Sequence, residues 1–194
     1  MSVKILAFAG SARKDSYNKK LAAIAASAAE AAGAQVTLID LRDYTLPLFD
    51  QDLEAAGGLP ANAIKLKQLF KEHDGFLISC PEYNSSITPL LKNTIDWVSR
   101  PNPPDPELAA FKNKTAALLS ASPGALGGLR GLVTVRALLG NIGVLILPGQ
   151  LAVSRANEAF DEKGVLKDVK QQEAVKKIAK ELVETLTKLK SSPN

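Results

Sequence analysis

The sequence predicts an α/β fold: a three-layer sandwich around a five-stranded parallel sheet in the order 2-1-3-4-5, with helices on both faces. Three observations predict it. Five short apolar runs recur along the chain, each of strand length and too short for a helix. Segments with helical spacing of apolar residues separate them. The loops after the first, third and fourth runs carry the unusual polar and glycine residues, and in an open parallel sheet ligands sit beyond the carboxyl ends of the strands, near the point where strand order reverses.

Each element has its own justification. Val3 to Ala9 is a solid apolar run, and Lys19 to Ala32 is an Ala-rich helix with a thin face of Leu21, Ile24, Ala25 and Ala28, stopped by Gly33. Gln35 to Leu41 alternates as a second strand. Arg42 to Pro60 has no clean period and is expected as a surface connection, anchored by Leu46, Leu48 and Phe49. Helical spacing returns from Ala61 to His73, and Gly75 to Cys80 is the third strand. Thr88 and Pro89 suit the N-cap and first residue of a helix running through Leu90, Leu91, Ile95 and Val98. After a proline-rich loop, Pro101 to Pro106, come a strand at Lys114 to Ser120, a helix at Leu129 to Leu139 and a strand at Val144 to Leu147. The last helix keeps Val175, Ile178, Leu182, Leu186 and Leu189 on one face, with Glu173–Lys177 and Glu184–Lys188 pairs on the other.

Composition narrows the function. The 194 residues, 46% hydrophobic and 23% charged, fit one domain spanning 1–194. No apolar run reaches the ~18 residues of a membrane span. The apolar core near the start, Ile5 to Ala9, falls short of the roughly 7–15 residues of a signal peptide, so a cytoplasmic address is expected. The net charge of +4 is local: residues 163–190 hold eight lysines and four acids, and the rest of the chain is balanced. A solvated helix face explains that better than a nucleic-acid groove. With His73 as the one histidine and Cys80 as the one cysteine, no metal cluster stands out, and no loop brings His73 to Ser11 or Ser122 for hydrolase chemistry. His73 is expected to interact with a helix C-terminus, and Trp97 to pack. Cys80 is expected in the core, with a redox role left open. Arg100 remains open between surface charge, interface partner and dinucleotide contact.

The chemistry lies in three loops. Gly10-Ser11-Ala12-Arg13-Lys14-Asp15-Ser16-Tyr17-Asn18 leads from a strand into a helix N-terminus, whose unpaired N–H groups favour an anion. Ser11, Ser16, Asn18 and the Arg13 fork supply donors for a terminal phosphate. The same residues could instead cap the helix and face solvent. The second loop, Pro81-Glu82-Tyr83-Asn84, offers backbone amides and an aromatic plane. The third, with Ser122, Gly124, Gly127 and Gly128, offers backbone that can approach a flat ring. A phosphate site beside a flat slot suits FMN, a cofactor that carries its own redox chemistry.

Taken together, the three loops resemble a known family. Gly10-Ser11-Ala12-Arg13 with Ser16 and Asn18 is similar to the phosphate loop of NAD(P)H-dependent FMN reductases. Pro81-Glu82-Tyr83-Asn84, Leu91-Lys92-Asn93 and Ile95-Asp96-Trp97 resemble its second signature; Ser122-Pro123-Gly124, Gly127-Gly128 and Arg130 resemble its third. The resemblance implies a flavodoxin-like fold, bound FMN, NADPH or NADH as co-substrate, and reduction of quinones, azo compounds, free flavin or oxyanions such as chromate. It also implies a homodimer or homotetramer. Ser11, Arg13, Ser16 and Asn18 would hold the phosphate. Pro81, Glu82, Tyr83 and Asn84 would line the isoalloxazine edge, with Ser122 and Gly124 on its other flank, and no side chain acting as general acid or base. One departure is Thr88-Pro89, where many members carry a glycine before the helix; it bears on the acceptor side of the slot. The competing class is a flavodoxin-type electron carrier that docks on protein partners. A non-redox phospholigand sensor is a third reading, if no flavin binds.

Overall fold

The computed structural model describes residues 2–191; residue 1 and residues 192–194, at the ends of the expected domain, lie outside the described residues. In chain order the elements are β1 (Lys4–Ala9), α1 (Tyr17–Ala31), β2 (Gln35–Asp40), α2 (Gln51–Gly57), α3 (Ala61–Glu72) and β3 (Gly75–Ser79). They continue with β4 (Glu82–Tyr83), β5 (Ser86–Ile87), α4 (Pro89–Ser99), β6 (Thr115–Ala121), α5 (Leu129–Asn141), β7 (Leu145–Val153), α6 (Ala156–Ala159) and α7 (Val169–Ser191). The main sheet runs β2-β1-β3-β6-β7 with every pair parallel, which is the expected order once the two-stranded β4–β5 hairpin is set aside.

Alternate side chains along each central strand build two cores, because successive Cβ atoms point to opposite faces. Ile5 and Ala7 of β1, Leu77 of β3 and Leu119 of β6 pack under α1 and α7. Leu6 and Phe8, Phe76 and Ile78, and Leu118 face the other way, toward α3, α4 and α5. Both faces are therefore apolar, and the central strands read as unbroken hydrophobic runs rather than alternating ones.

Helix ends follow the expected chemistry. Gly33, with φ of 96°, closes α1, and Thr88 caps α4 by accepting from the Leu91 N–H at 3.3 Å. His73 follows α3, its Nδ1 2.6 Å from the Leu69 carbonyl and its Nε2 2.8 Å from the Thr37 hydroxyl. Lys67 is buried, with its ammonium donating to the carbonyls of Val98 and Arg100 where α4 ends. Burial lowers its pKa.

Four expectations are corrected. The connection 42–60 is not featureless: a 3-10 turn, Leu41–Asp43, is followed by α2, whose N-cap Asp50 accepts from the N–H groups of Asp52 and Leu53. No α2 residue is buried, so no apolar period marks it. The last strand does not stop at Leu147; it resumes beyond an irregularity at Pro148-Gly149 and extends to Val153. β7 is an edge strand, the place where a proline costs no ladder bond. On α7 the apolar stripe ends at Leu186, since Leu189 is 53% exposed. One of its acids pairs differently as well: Glu173 bridges Lys176 at 2.7 Å rather than Lys177, while Glu184 lies 3.7 Å from Lys180.

Candidate active site

The ends of β1, β3 and β6 bring the three loops together. A cavity of about 120 Å³ lies between them, walled by Ser11, Arg13, Ser16 and Asn18 from the first loop, Pro81, Glu82 and Tyr83 from the second, and Ser122 from the third. Tyr17, Ala121 and Pro123 complete its wall. Asn84 and Gly124 do not border this cavity, although both belong to the loops that do.

Its floor is the start of α1. Ser16 sits at the N-cap with extended backbone, yet its hydroxyl makes no cap hydrogen bond and no acidic residue stands in the first turn. Ser11 and Ser16 are both buried. The helix end is thus short of an acceptor, and hydroxyls, N–H groups and an arginine surround the gap. Arg13 is already held in place: its Nη2 donates to the Asp15 carbonyl at 2.6 Å and its guanidinium lies 4.7 Å above the Tyr17 ring, which stacks in turn on Phe160. Side-chain capping by Ser16 or Asn18, one of the two open readings of this loop, is not formed here. The donor set fits the terminal phosphate of FMN. At about 120 Å³ the cavity is well below the roughly 300–1,000 Å³ of a pocket that encloses a small molecule, so it suits the phosphate end and not a whole enclosed FMN.

Asn18 is placed at the cavity but committed elsewhere. Its Nδ2 donates to the Ala121 carbonyl at 2.8 Å, and its Oδ1 accepts from the Ala121 N–H at 3.0 Å and the Ser79 hydroxyl at 2.9 Å. One side chain therefore ties α1 to the ends of β3 and β6. Thr88 does similar work for the first loop: its buried hydroxyl donates to the Gly10 carbonyl at 2.7 Å. Gly10 is required by close approach, since a Cβ there would lie 2.9 Å from Leu91 Cβ.

The second loop is a tight hairpin. Tyr83 pairs with Ser86, and Asn84 and Ser85 between them have φ of 50° and 66°, the two left-handed residues of a hairpin turn that matches strand twist. The turn leaves Tyr83 55% exposed at the mouth of the cavity. Glu82 turns its side chain away, to the start of α5.

Cys80, Arg100 and Trp97 each have surroundings within the chain. Cys80 is fully buried among apolar neighbours, and burial drives its thiol pKa upward, far from a reactive thiolate. Arg100 donates to both Glu54 carboxylate oxygens, at 2.8 and 3.0 Å, and lies over Phe49, fastening the connection 42–60 to α4. Trp97 helps, with its indole N–H 2.8 Å from the Pro47 carbonyl. Tyr17 was missed as a wall residue; its place directly after Ser16, at the first position of α1, was the available signal. Among the described residues no group of His, Cys, Asp and Glu could hold a metal ion.

The chain is similar to several known proteins. The family model for NADPH-dependent FMN reductase matches residues 3–158. An NAD(P)H-dependent FMN reductase of Pseudomonas aeruginosa is 36% identical over 174 residues, covering 89% of each chain. A quinone reductase of Escherichia coli K12 is 34% identical over 137 residues, 71% of this chain and 69% of its own. Among solved structures, the flavoenzyme FerB of Paracoccus denitrificans, an NAD(P)H:acceptor oxidoreductase, superposes with a TM-score of 0.81 at 27% identity, covering 96% of this chain and 98% of its own. With the fold flavodoxin-like, the loops in the family's order and the family model spanning most of the residues, this chain belongs to the NADPH-dependent FMN reductase family.

Proposed function

We propose that the chain is an FMN-dependent NAD(P)H oxidoreductase that delivers reducing equivalents to small acceptors. Flat quinones lead the candidates, with azo compounds, free flavin and oxyanions such as chromate as the wider set. The observation that carries the proposal is the uncapped α1 N-terminus opening directly beside an exposed aromatic hairpin. Bound FMN supplies the redox chemistry. The chain's own residues bind and orient it. Ser11, Ser16 and Arg13 hold the phosphate, while Asn18, at the same cavity, keeps α1 in register with the strands that carry the other two loops. The backbone of Pro81 to Asn84 lines one edge of the ring, Ser122 and Gly124 the other, and Tyr83 offers a stacking surface. No side chain is needed to move a proton. What the slot must do is hold the nicotinamide roughly 3–3.5 Å from the ring.

An exposed Tyr83 leaves the slot open to one flat molecule at a time, so NAD(P)H leaves before the acceptor enters. Double-reciprocal plots at several quinone concentrations should then be parallel. The second reading, a carrier that docks on protein partners, needs a charged face around a protected ring. Here the surplus charge lies on α7, which contributes no wall to the cavity. Anaerobic mixing of the FMN-loaded protein with NADPH, and separately NADH, decides between them. Rapid bleaching of the flavin supports the enzyme. Failure with both nucleotides, alongside reduction by a separate reductase protein, establishes the carrier. We further propose a cytoplasmic homodimer or homotetramer; Leu48 and Leu53, exposed on the 42–60 connection, offer apolar surface for a partner subunit. No helix among the described residues is long and apolar enough to cross a membrane.

A further inference from the structure

A larger cavity, of about 910 Å³, shares no wall residue with the phosphate cavity. It is a groove between α1 and α7, which pack on the same face of the sheet. Both helices return against parallel strands, so they run side by side in the same direction. Each wall spans about 18 Å, at a rise of about 1.5 Å per residue, from Lys20 to Ala32 on α1 and from Gln172 to Glu184 on α7. The α1 wall is small and apolar: Ala23, Ile24, Ala28 and Ala31 line it, with Ser27 exposed at its middle. Charge is spread unevenly along the rim. Lys20, Lys163 and Lys176 stand at the end where both helices begin, while Lys180 and Glu184 pair 3.7 Å apart toward the other. Lys176 is balanced by Glu173 at 2.7 Å. Lys163 makes no hydrogen bond or ion pair among the described residues, and the Lys20 ammonium meets only the Phe160 ring, 5.9 Å from its centre. The loop residue Gly164 packs on the Lys20 stem, which brings these two unbalanced cations to one end of the groove.

We propose that this groove binds an amphiphile of the fatty-acid type, with its anionic head between Lys20 and Lys163 and its unbranched apolar tail along the alanine wall of α1. Charge complementarity selects this occupant. A second copy of the chain, docked across a two-fold axis, would set lysines against lysines. An acidic helix would need cations along both walls, and beyond Lys20 the α1 wall has none. Unbalanced positive charge at one end and apolar surface along the rest match a head and a tail. A staggered carbon chain advances about 1.25 Å for each ~1.5 Å bond, so about 18 Å of wall takes roughly fourteen carbons. The proposal does not depend on the oxidoreductase reading, because the groove and the phosphate cavity have no residue in common.

The test is equilibrium dialysis of the FMN-loaded protein against radiolabelled decanoate, dodecanoate, tetradecanoate and hexadecanoate, each below its micelle threshold. One molecule should bind per chain. Affinity should rise about two- to fourfold per methylene up to tetradecanoate, fourfold being the limit for a fully buried CH₂, and then level off. Dodecylamine, with the same tail and a cationic head, should bind at least about tenfold more weakly than dodecanoate, the scale of one charged hydrogen bond. Lys20→Gln combined with Lys163→Gln should weaken dodecanoate about tenfold and leave dodecylamine no weaker. Ser27→Trp fills the middle of the groove from an exposed position; it should abolish dodecanoate binding while thermal midpoint and FMN affinity stay as in wild type. Binding that does not saturate, equal affinity for the two head groups, or full binding by Ser27→Trp overturns the proposal. So does tightening that continues undiminished to hexadecanoate, because the groove would then not set the tail length. If the free carboxylates fail to bind but the protein sediments with phosphatidylglycerol vesicles, the lysines serve a membrane surface instead. If the carboxylates fail and Ser27→Trp changes the oligomeric state in analytical ultracentrifugation, the groove is a subunit interface.

Discussion

Arg13→Ala tests the cofactor assignment at its most charged contact. In the structure the guanidinium is held over Tyr17 at 4.7 Å and by the Asp15 carbonyl at 2.6 Å, so part of its ordering cost is met before any ligand arrives. Truncation removes a charged hydrogen bond to the phosphate, which costs on the order of 1.5–3 kcal/mol, or roughly ten- to a hundredfold in affinity. It also removes the cation–π contact, worth about 0.5–1 kcal/mol at an exposed site, but that contact belongs to the protein whichever flavin binds. Comparing FMN with riboflavin cancels it, because only FMN carries the phosphate. Fluorescence titration of the apoprotein should therefore show FMN affinity falling roughly ten- to a hundredfold while riboflavin affinity stays nearly constant. Equal losses for the two ligands would refute the placement of the phosphate beside Arg13. A loss confined to riboflavin would invert the site altogether.

The other predictions concern the scaffold and its ionisation. Leu182, fully buried between α7 and the sheet, should cost about 2–5 kcal/mol when truncated to alanine, measured by denaturant unfolding. Lys180→Glu, on the exposed face of the same helix, should change stability by no more than ~0.5 kcal/mol and leave turnover intact; loss of NAD(P)H oxidation with the fold preserved would make that face functional. At Asp40 burial disfavours ionisation, but hydrogen bonds from Lys19 and Arg42 outweigh it and hold the carboxyl at about 2. A depressed carboxyl pKa stabilises the fold above its unfolded value and loses that contribution as pH falls. The stability gap between wild type and Asp40→Asn should be constant above about pH 5, shrink as pH falls below that, and level off only once pH is below the folded value of about 2. A gap that widened on acidification would contradict the assignment.

How much of this was legible in the residues follows from where the information lies. Strands buried on both faces must be apolar throughout, so the central strands could be read from runs such as Val3 to Ala9 and Gly75 to Cys80, and their order from the doubly wound pattern that five such strands alternating with helices adopt. The loops that gather at one end of the sheet could be read too, from their glycines and short polar side chains. α2 was invisible because it buries nothing and so leaves no period; β7 looked short because Pro148-Gly149 interrupts its apolar run, and nothing local shows that the strand resumes beyond them. The roles within the site were decided by tertiary structure alone. Asn18 and Glu82 are both polar residues in site loops, and composition treats them as ligands. The fold gives Asn18 to Ala121, 103 residues away, and Glu82 to Gly131, 49 residues away. A side chain's partner is set by which strand ends meet in space, and those distances along the chain carry no local signal. What the sequence determined by itself was the sheet, its covering helices and the end at which chemistry gathers. Only the packed structure decided which polar groups line the cavity there and which hold the loops together.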